Sequence, residues 1–435
     1  MPKKIRIAVI GAGSRSFGCG IINDLVLAKD LSAACEVDAV LVDVDELRLG
    51  QMLALAQKCA AVAGSTVRFS ATANREQALD GADFVLVSVA VNRIELWEQD
   101  FRVPLSLGIR HVLGENGGPG AIFHALRSFE LVMPICRDVE RLCPDAWLLN
   151  FTNPEARVLT AILALTRVKA LGLCHGFYYL HETVQRILNR PITELDVRSA
   201  GMNHFFTFYR LADRNTGDDL RPALAARIAA DPRCLQPLAR HLWDTFGVLG
   251  MNSDDHIGEY IRYAHEFTGL RWPYGLEHRK VPRKPEKQPD LLAEYIAGAR
   301  NVDEAFVRPS GELAAPIITD IALDRRQWRP AVNVLNTGRY ISNLAPEGCI
   351  EVPAVAGADG LRPEHVGELP EEFAAMIRVQ HSIQRLLVEA YQARSKRILL
   401  QALLLDPLTD SVAQARKLID VMFDVQAEYL PDMQW

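Results

Sequence analysis

Short apolar runs alternating with helical periodicity dominate the first 175 positions of this chain. Residues 5–10, 39–43, 84–90, 147–150 and 168–173 are rich in Val, Ile, Leu and Ala, and each leads into Gly, Asn, Asp or Cys. Runs of this length are what strands buried on both faces of a parallel sheet require. Between them, residues 21–28, 46–61 and 121–142 space their apolar positions as helices do. Strand and helix therefore alternate from residue 5 to about 174, which predicts a six-stranded, doubly wound α/β half. Beyond residue 204 the pattern is mainly helical, over 222–230, 234–246 and 257–267. Two amphipathic stretches, 370–405 and 411–427, close the chain and are expected to pack on the sheet or to bury an interface between copies. The expected division is a nucleotide-binding domain over 1–175 and a mixed α+β catalytic and oligomerisation domain over 176–435.

The ends of the runs carry the chemistry. The first leads into Gly11-Ala-Gly13-Ser14 and then a helix, a turn whose backbone amides can approach a pyrophosphate at the helix's positive end. Ser16 stands where the third glycine of a Rossmann fingerprint is usual, so the match is partial. Asp43 ends the second run, about 30 residues later, where a carboxylate would accept the ribose hydroxyls of NAD. Asp45 is the neighbouring alternative, and capping of the next helix is the structural role open to Asp43. Asn92 and Arg93 follow the third run, and Asn150 and Asn153 the fourth. Pro154 holds Asn153 extended. The fifth run ends on Cys174-His175-Gly176, and Gly201-Met202-Asn203-His204 follows. One Cys and one His are too few for a closed zinc site but suit an open one completed by substrate oxygens. Gly114–Gly120 holds four glycines in seven residues before a helix, the composition of a loop that lies against a flat ligand or opens as a lid. Asp254-Asp255-His256 is an acid/base cluster or the acidic first turn of a helix.

Charge and composition narrow the partners. A net charge of −6 argues against nucleic acid, whose phosphates need a basic face. No apolar run approaches the roughly 18 residues of a membrane span, and the eight cysteines include no Cys-x-x-Cys pair. A reduced, cytoplasmic protein acting on a small molecule is the expectation.

Together these residues resemble the NAD- and metal-dependent glycosidases of glycoside hydrolase family 4. The likeness is carried by Gly11-Ala-Gly13-Ser14, by Gly118-Pro-Gly120 with Ala125-Leu-Arg127, and by Asn150-Phe-Thr-Asn153-Pro154. Cys174-His175-Gly176, Asn203-His204 and a late block, Asn336-Thr-Gly338, Asn343-Leu and Glu351-Val-Pro353, complete it. The resemblance implies a lactate/malate dehydrogenase-like Rossmann half with an α+β substrate domain, NAD on Gly11, Gly13, Ser14, Asp43 and Asn153, and a divalent metal, Mn2+ first, on Cys174 and His204. Asn153, Arg127, Arg93, Asn92 and His256 would face the sugar. Asp255 or Asp254 would be the base, with His256 as the alternative, and His175 would assist the leaving group. The implied reaction is oxidation at C3, loss of the C2 proton, elimination of the C1–O bond, addition of water and reduction. Cys-His-Gly resembles the α-glucuronidase branch, so an α-glucuronide is expected, or an α-galacturonide, with the cations Arg93, Arg279, Lys280 and Arg283 nearby. A homodimer or homotetramer is expected. The competing readings are an NAD-dependent sugar or 2-hydroxy-acid dehydrogenase and a non-enzymatic NAD sensor.

Overall fold

The computed structural model describes residues 2–14, 17–272 and 291–435. Ser16 and the expected cations Arg279, Lys280 and Arg283 lie outside these. Among the described residues, eleven strands form one sheet: β1 (Lys3–Ile10), β2 (Cys35–Val42), β3 (Arg68–Thr72), β4 (Phe84–Val87), β5 (Trp147–Asn150), β6 (Lys169–Gly172), β7 (Leu195–Met202), β8 (Phe205–Asp213), β9 (Gln327–Leu335), β10 (Cys349–Gly357) and β11 (Gly360–Pro363). Their order is β3-β2-β1-β4-β5-β6-β9-β10-β7-β8, with β11 beside β10. The parallel part reads 3-2-1-4-5-6, the order of a dinucleotide-binding doubly wound sheet. All four side chains of β4 are buried, as a strand covered on both faces demands. The sixth parallel strand, β3, has only partly buried or exposed side chains, the signature of an edge, and no apolar run announces it.

The sheet does not stop at residue 175. β9 runs antiparallel to β6, with Gly172 opposite Asn333, and carries β10, β7 and β8 into the second half. The expected helix over 257–267 is instead two short turns, Asp254–Gly258 and His265–Thr268. The stretch 370–405 is two helices, Glu371–Ala393 and Lys396–Leu405, separated at Arg394, whose φ of 50° breaks the first. Glu371–Ala393 packs against Glu155–Leu165, which covers the sheet. Among the described residues, no helix is long and apolar enough to cross a membrane.

The glycine-dense loop 114–120 is buried throughout and closely packed, which corrects its reading as a lid that opens. A Cβ on Gly117 would lie 2.7 Å from the Glu259 carbonyl oxygen, and one on Gly120 2.3 Å from that of Asp100. Glycine is what lets the two backbones come so close.

Arg127 also takes a structural place. It is 4% exposed, and its Nη1 donates to Asp100 Oδ1 at 2.9 Å and to Gln426 Oε1 at 2.6 Å. A guanidinium committed in this way ties helix Gly118–Leu142 to helix Arg93–Ser106 and the C-terminal segment; the expectation that it faces the sugar is corrected. Arg127→Met would strand the fully buried Asp100 carboxylate. The expected cost is about 3–5 kcal/mol in urea unfolding, largely recovered in the Arg127→Met, Asp100→Leu double variant.

Candidate functional site

The dinucleotide turn is built as the sequence implies. Gly11 has φ +83°, and a Cβ there would sit 2.0 Å from the Ser88 carbonyl oxygen. Gly13 donates its N–H to Asp43 Oδ2 at 2.8 Å, and its own Cβ would fall 2.8 Å from that oxygen. The Ser14 hydroxyl accepts from Phe17 N at 3.3 Å. Asp45, accepting from Arg48 N at 2.9 Å, is the cap of helix Glu46–Ala63. Asp43 is thereby left half-buried beside the turn. The close-packing glycine of the fingerprint is Gly18, whose Cβ would meet the Ala12 carbonyl oxygen at 2.3 Å. It sits two residues after Ser16, which is why the spacing looked incomplete. The turn fits a dinucleotide: with no side chain at 11 or 13, its backbone closes onto Ser88 and Asp43, and a Cβ at either position would force it open.

The second cluster lies past the carboxyl end of β6. Cys174 follows that strand, and His175 precedes helix Gly176–Leu188 as its first flanking residue. His204 occupies the two-residue turn between β7 and β8, at φ +62°. Left-handed backbone costs a non-glycine residue roughly 1–2 kcal/mol, and such strain concentrates at working sites. Cys174 Sγ and His204 Nε2 are 3.3 Å apart. A sulfur and a nitrogen bound to one ion at about 2.0–2.3 Å fall roughly 3.1–3.6 Å apart, so the pair has the spacing of two ligands. Burial pushes the thiol up, with the charge of Glu351 adding to it, and burial holds His204 well below the usual imidazole range. A neutral imidazole is the ligand form, and a cation is what would stabilise the thiolate. The donor set fits a divalent metal.

Behind the turn, Asn203 Nδ2 and Asn333 Nδ2 each donate to Glu351 Oε2 at 3.3 Å. Burial raises the Glu351 carboxyl to about 7. Glu351 thus fixes the turn that carries His204.

Around the pair, the expected residues separate. The His256 ring lies 4.7 Å from the His204 ring, edge to face, and its Nδ1 is 3.8 Å from Glu259 Oε1. Burial disfavours charge on His256, and the carboxylates of Glu259, Asp255 and Glu115 outweigh it. Glu259 in turn receives the N–H groups of Asn116 at 2.5 Å and Gly117 at 2.8 Å. Asp254 does not reach the site as a base. Its two oxygens accept from Leu238 N at 2.8 Å and Ala239 N at 3.0 Å, capping helix Pro237–Phe246. Asp255 stays half-buried, with Oδ1 accepting from the Ser253 hydroxyl at 2.6 Å.

Glu115 gathers two more. Arg93 Nη2 lies 2.9 Å and Asn153 Nδ2 3.3 Å from its Oε1. Asn92 instead points to the C-terminal tail, donating to the Tyr429 hydroxyl at 2.8 Å, which places it away from a sugar-binding role. His175 pairs with Glu312, Nδ1 to Oε1 at 2.8 Å, and that bond raises its pKa against the opposing effect of burial. Glu115, Glu259 and Glu312 carried no signal in the sequence, since each is a lone acid.

Residues 6–190 match the family described as "Family 4 glycosyl hydrolase", and residues 199–409 match its C-terminal domain. The chain belongs to family 4 of the glycosyl hydrolases. Among curated relatives, the α-glucosidase of Erwinia rhapontici is 28% identical over 98% of each chain. The α-galacturonidase of Lachnoclostridium phytofermentans is 26% identical over 98% of this chain and 97% of its own. A solved 6-phospho-α-glucosidase from gut microorganisms, in complex with NAD and Mn2+, superimposes with a TM-score of 0.85 at 24% identity, covering 99% of this chain and 100% of that one. As a family 4 enzyme, the chain is a glycoside hydrolase.

Proposed function

We propose that this family 4 enzyme hydrolyses α-glycosides of a uronic acid, α-glucuronides first and α-galacturonides second, with NAD and a divalent metal such as Mn2+. The observation that carries the reading is the Cys174–His204 pair at 3.3 Å, placed next to His175 at the mouth of a dinucleotide-binding sheet. When bound, NAD supplies reversible hydride transfer at C3 of the sugar, and the metal supplies Lewis acidity at the C2 and C3 oxygens. Cys174 and His204 would hold the metal; Gly11, Gly13, Ser14 and Asp43 would hold the dinucleotide. Asp255 removes the C2 proton, since Asp254 is spent on its helix cap and His256 is biased toward its charged form. His175 gives a proton to the departing C1 oxygen. Asn153 and Arg93, drawn together by Glu115, line the sugar side. The eight unpaired cysteines support a reducing, cytoplasmic setting.

The uronide preference rests on Cys174-His175-Gly176 and on the α-galacturonidase relative. A neutral α-hexoside is the second reading, favoured by the α-glucosidase relative and by the engagement of Arg93 with Glu115. A panel of α-glucuronide, α-galacturonide, α-glucoside, α-galactoside and 6-phospho-α-glucoside, assayed with NAD+, Mn2+ and a reductant, separates them. A carboxylate gains a charge-assisted hydrogen bond of roughly 1.5–3 kcal/mol, so a uronide should turn over roughly 10- to 150-fold faster in kcat/KM than its neutral counterpart. Equal rates on a neutral hexoside, or faster turnover of the phosphoglucoside, would remove the uronide assignment.

A further inference from the structure

His175 belongs to a chain of contacts that runs back to the cofactor half. Its half-exposed ring uses Nδ1 on Glu312, whose side chain is 9% exposed. The Glu312 N–H donates to Ser310 Oγ at 3.0 Å. Ser310 in turn donates its N–H to Asp24 Oδ1 at 2.7 Å and its hydroxyl to Asp24 Oδ2. Asp24 lies on helix Gly18–Leu27, the helix whose amino end follows the Gly11–Ser14 turn. Two further features tie the same segment to that helix. Asn23 Nδ2 donates to the Phe306 carbonyl oxygen at 2.8 Å, and Gly20 leaves room for Ser310, whose Cβ would be 3.0 Å from a side chain there.

Resting on the glycosidase reading above, we propose that Glu312 is a positioning residue that aims His175 at the leaving group, anchored through Ser310 and Asp24 to the dinucleotide-binding helix. As the general acid the ring is the imidazolium, with a proton on each nitrogen; with Nδ1–H held by Glu312, Nε2–H is the proton left to give to substrate. In the elimination, the C2 proton passes to Asp255 and its electron pair forms the C1–C2 double bond. The C1–O pair leaves with the glycosidic oxygen, which takes its proton from His175 Nε2. A ring free to rotate would present either nitrogen, and an oxygen that cannot leave as an anion would then depart slowly. An aryloxide with a low-pKa oxygen needs no such proton.

The experiment compares wild type with Glu312→Ala, Glu312→Gln and Ser310→Ala on two substrates with the same sugar, a methyl glycoside and a 4-nitrophenyl glycoside. Glu312→Ala should lower kcat for the methyl glycoside by roughly 10²-fold, the low end of what a lost general acid costs. The 4-nitrophenyl rate should fall far less, and KM and NAD affinity should hold. Glu312→Gln, which keeps an oxygen for Nδ1–H, should recover much of the loss, and Ser310→Ala should show the Glu312→Ala pattern more weakly. Nitrogen-15 spectra of the histidines, with Mg2+ and NAD+ bound and at a pH where the ring has given up one proton, should show neutral His175 held as the Nδ1–H tautomer in wild type and mixed tautomers in Glu312→Ala. Equal losses on both glycosides, or an unchanged tautomer, would overturn the proposal. A wild type that hydrolyses neither glycoside would sink the glycosidase reading instead, with the nitrogen spectra still deciding whether Glu312 sets the His175 ring.

Discussion

Cys174→Ser is expected to cut glycoside turnover by roughly 10³-fold or more, because a Lewis acid contributes several kcal/mol to a reaction that builds negative charge beside a carbonyl. The reason lies in the donor. Sulfur in this position is buried and protonated until a cation stabilises the thiolate, whereas a serine hydroxyl stays neutral and offers a harder, shorter ligand. His204 alone cannot hold the ion in register. The dinucleotide turn is built by Gly11, Gly13 and Asp43 and does not involve Cys174. NAD affinity, measured by fluorescence titration, should therefore stay close to wild type while bound metal, counted by elemental analysis after desalting, is lost. Full metal content with full activity in Cys174→Ser would remove sulfur from the ligand set.

Asp255→Asn is the second large effect. A general base typically contributes about 10²–10⁴-fold, and the asparagine amide cannot take a proton from C2. Asp254→Asn provides the contrast. It leaves one amide oxygen for the two N–H groups of helix Pro237–Phe246 that Asp254 accepts from, so one buried donor loses its partner at a cost of about 1–3 kcal/mol, and it should leave the chemical step alone. The pair of variants separates the two acids by different measurements: a thermal melt for Asp254, a rate for Asp255. If Asp255→Asn exchanges C2 hydrogen at the wild-type rate, His256 is the base to test next.

How much of this was legible in the sequence depends on the range over which each constraint acts. The parallel strands β1, β2, β4, β5 and β6 were visible because burial on both faces writes an uninterrupted apolar run. β3 was not, since an edge strand needs no such run. The glycine turn was visible because a positive φ and a close backbone approach are local demands, as at Gly11. Cys174 and His204 each stand at a strand end and read together as an open metal site, but that they meet across 30 residues needed the β7–β8 turn to be seen. Asp254 and Asp255 are neighbours, and what separates them is a helix that begins 17 residues earlier and consumes one carboxylate. Arg127 looked like an open cation because nothing near it in sequence announces Asp100 or the distant Gln426. Glu312 is a single acid 137 residues from the histidine it holds. Contacts of that kind leave no periodicity and no spacing, so only the fold reveals them.

The central claim is that hydrolysis proceeds through reversible oxidation and loss of the C2 proton rather than by direct displacement. Following the atoms tests it most directly. The glycoside is hydrolysed in D2O with NAD+ in catalytic amount and a divalent metal, and the released sugar is read by NMR while the reduced cofactor is followed by absorbance. The account predicts deuterium at C2, retained hydrogen at C3, and no net accumulation of NADH. Released sugar with unlabelled C2, or NADH formed in proportion to substrate consumed, would contradict it.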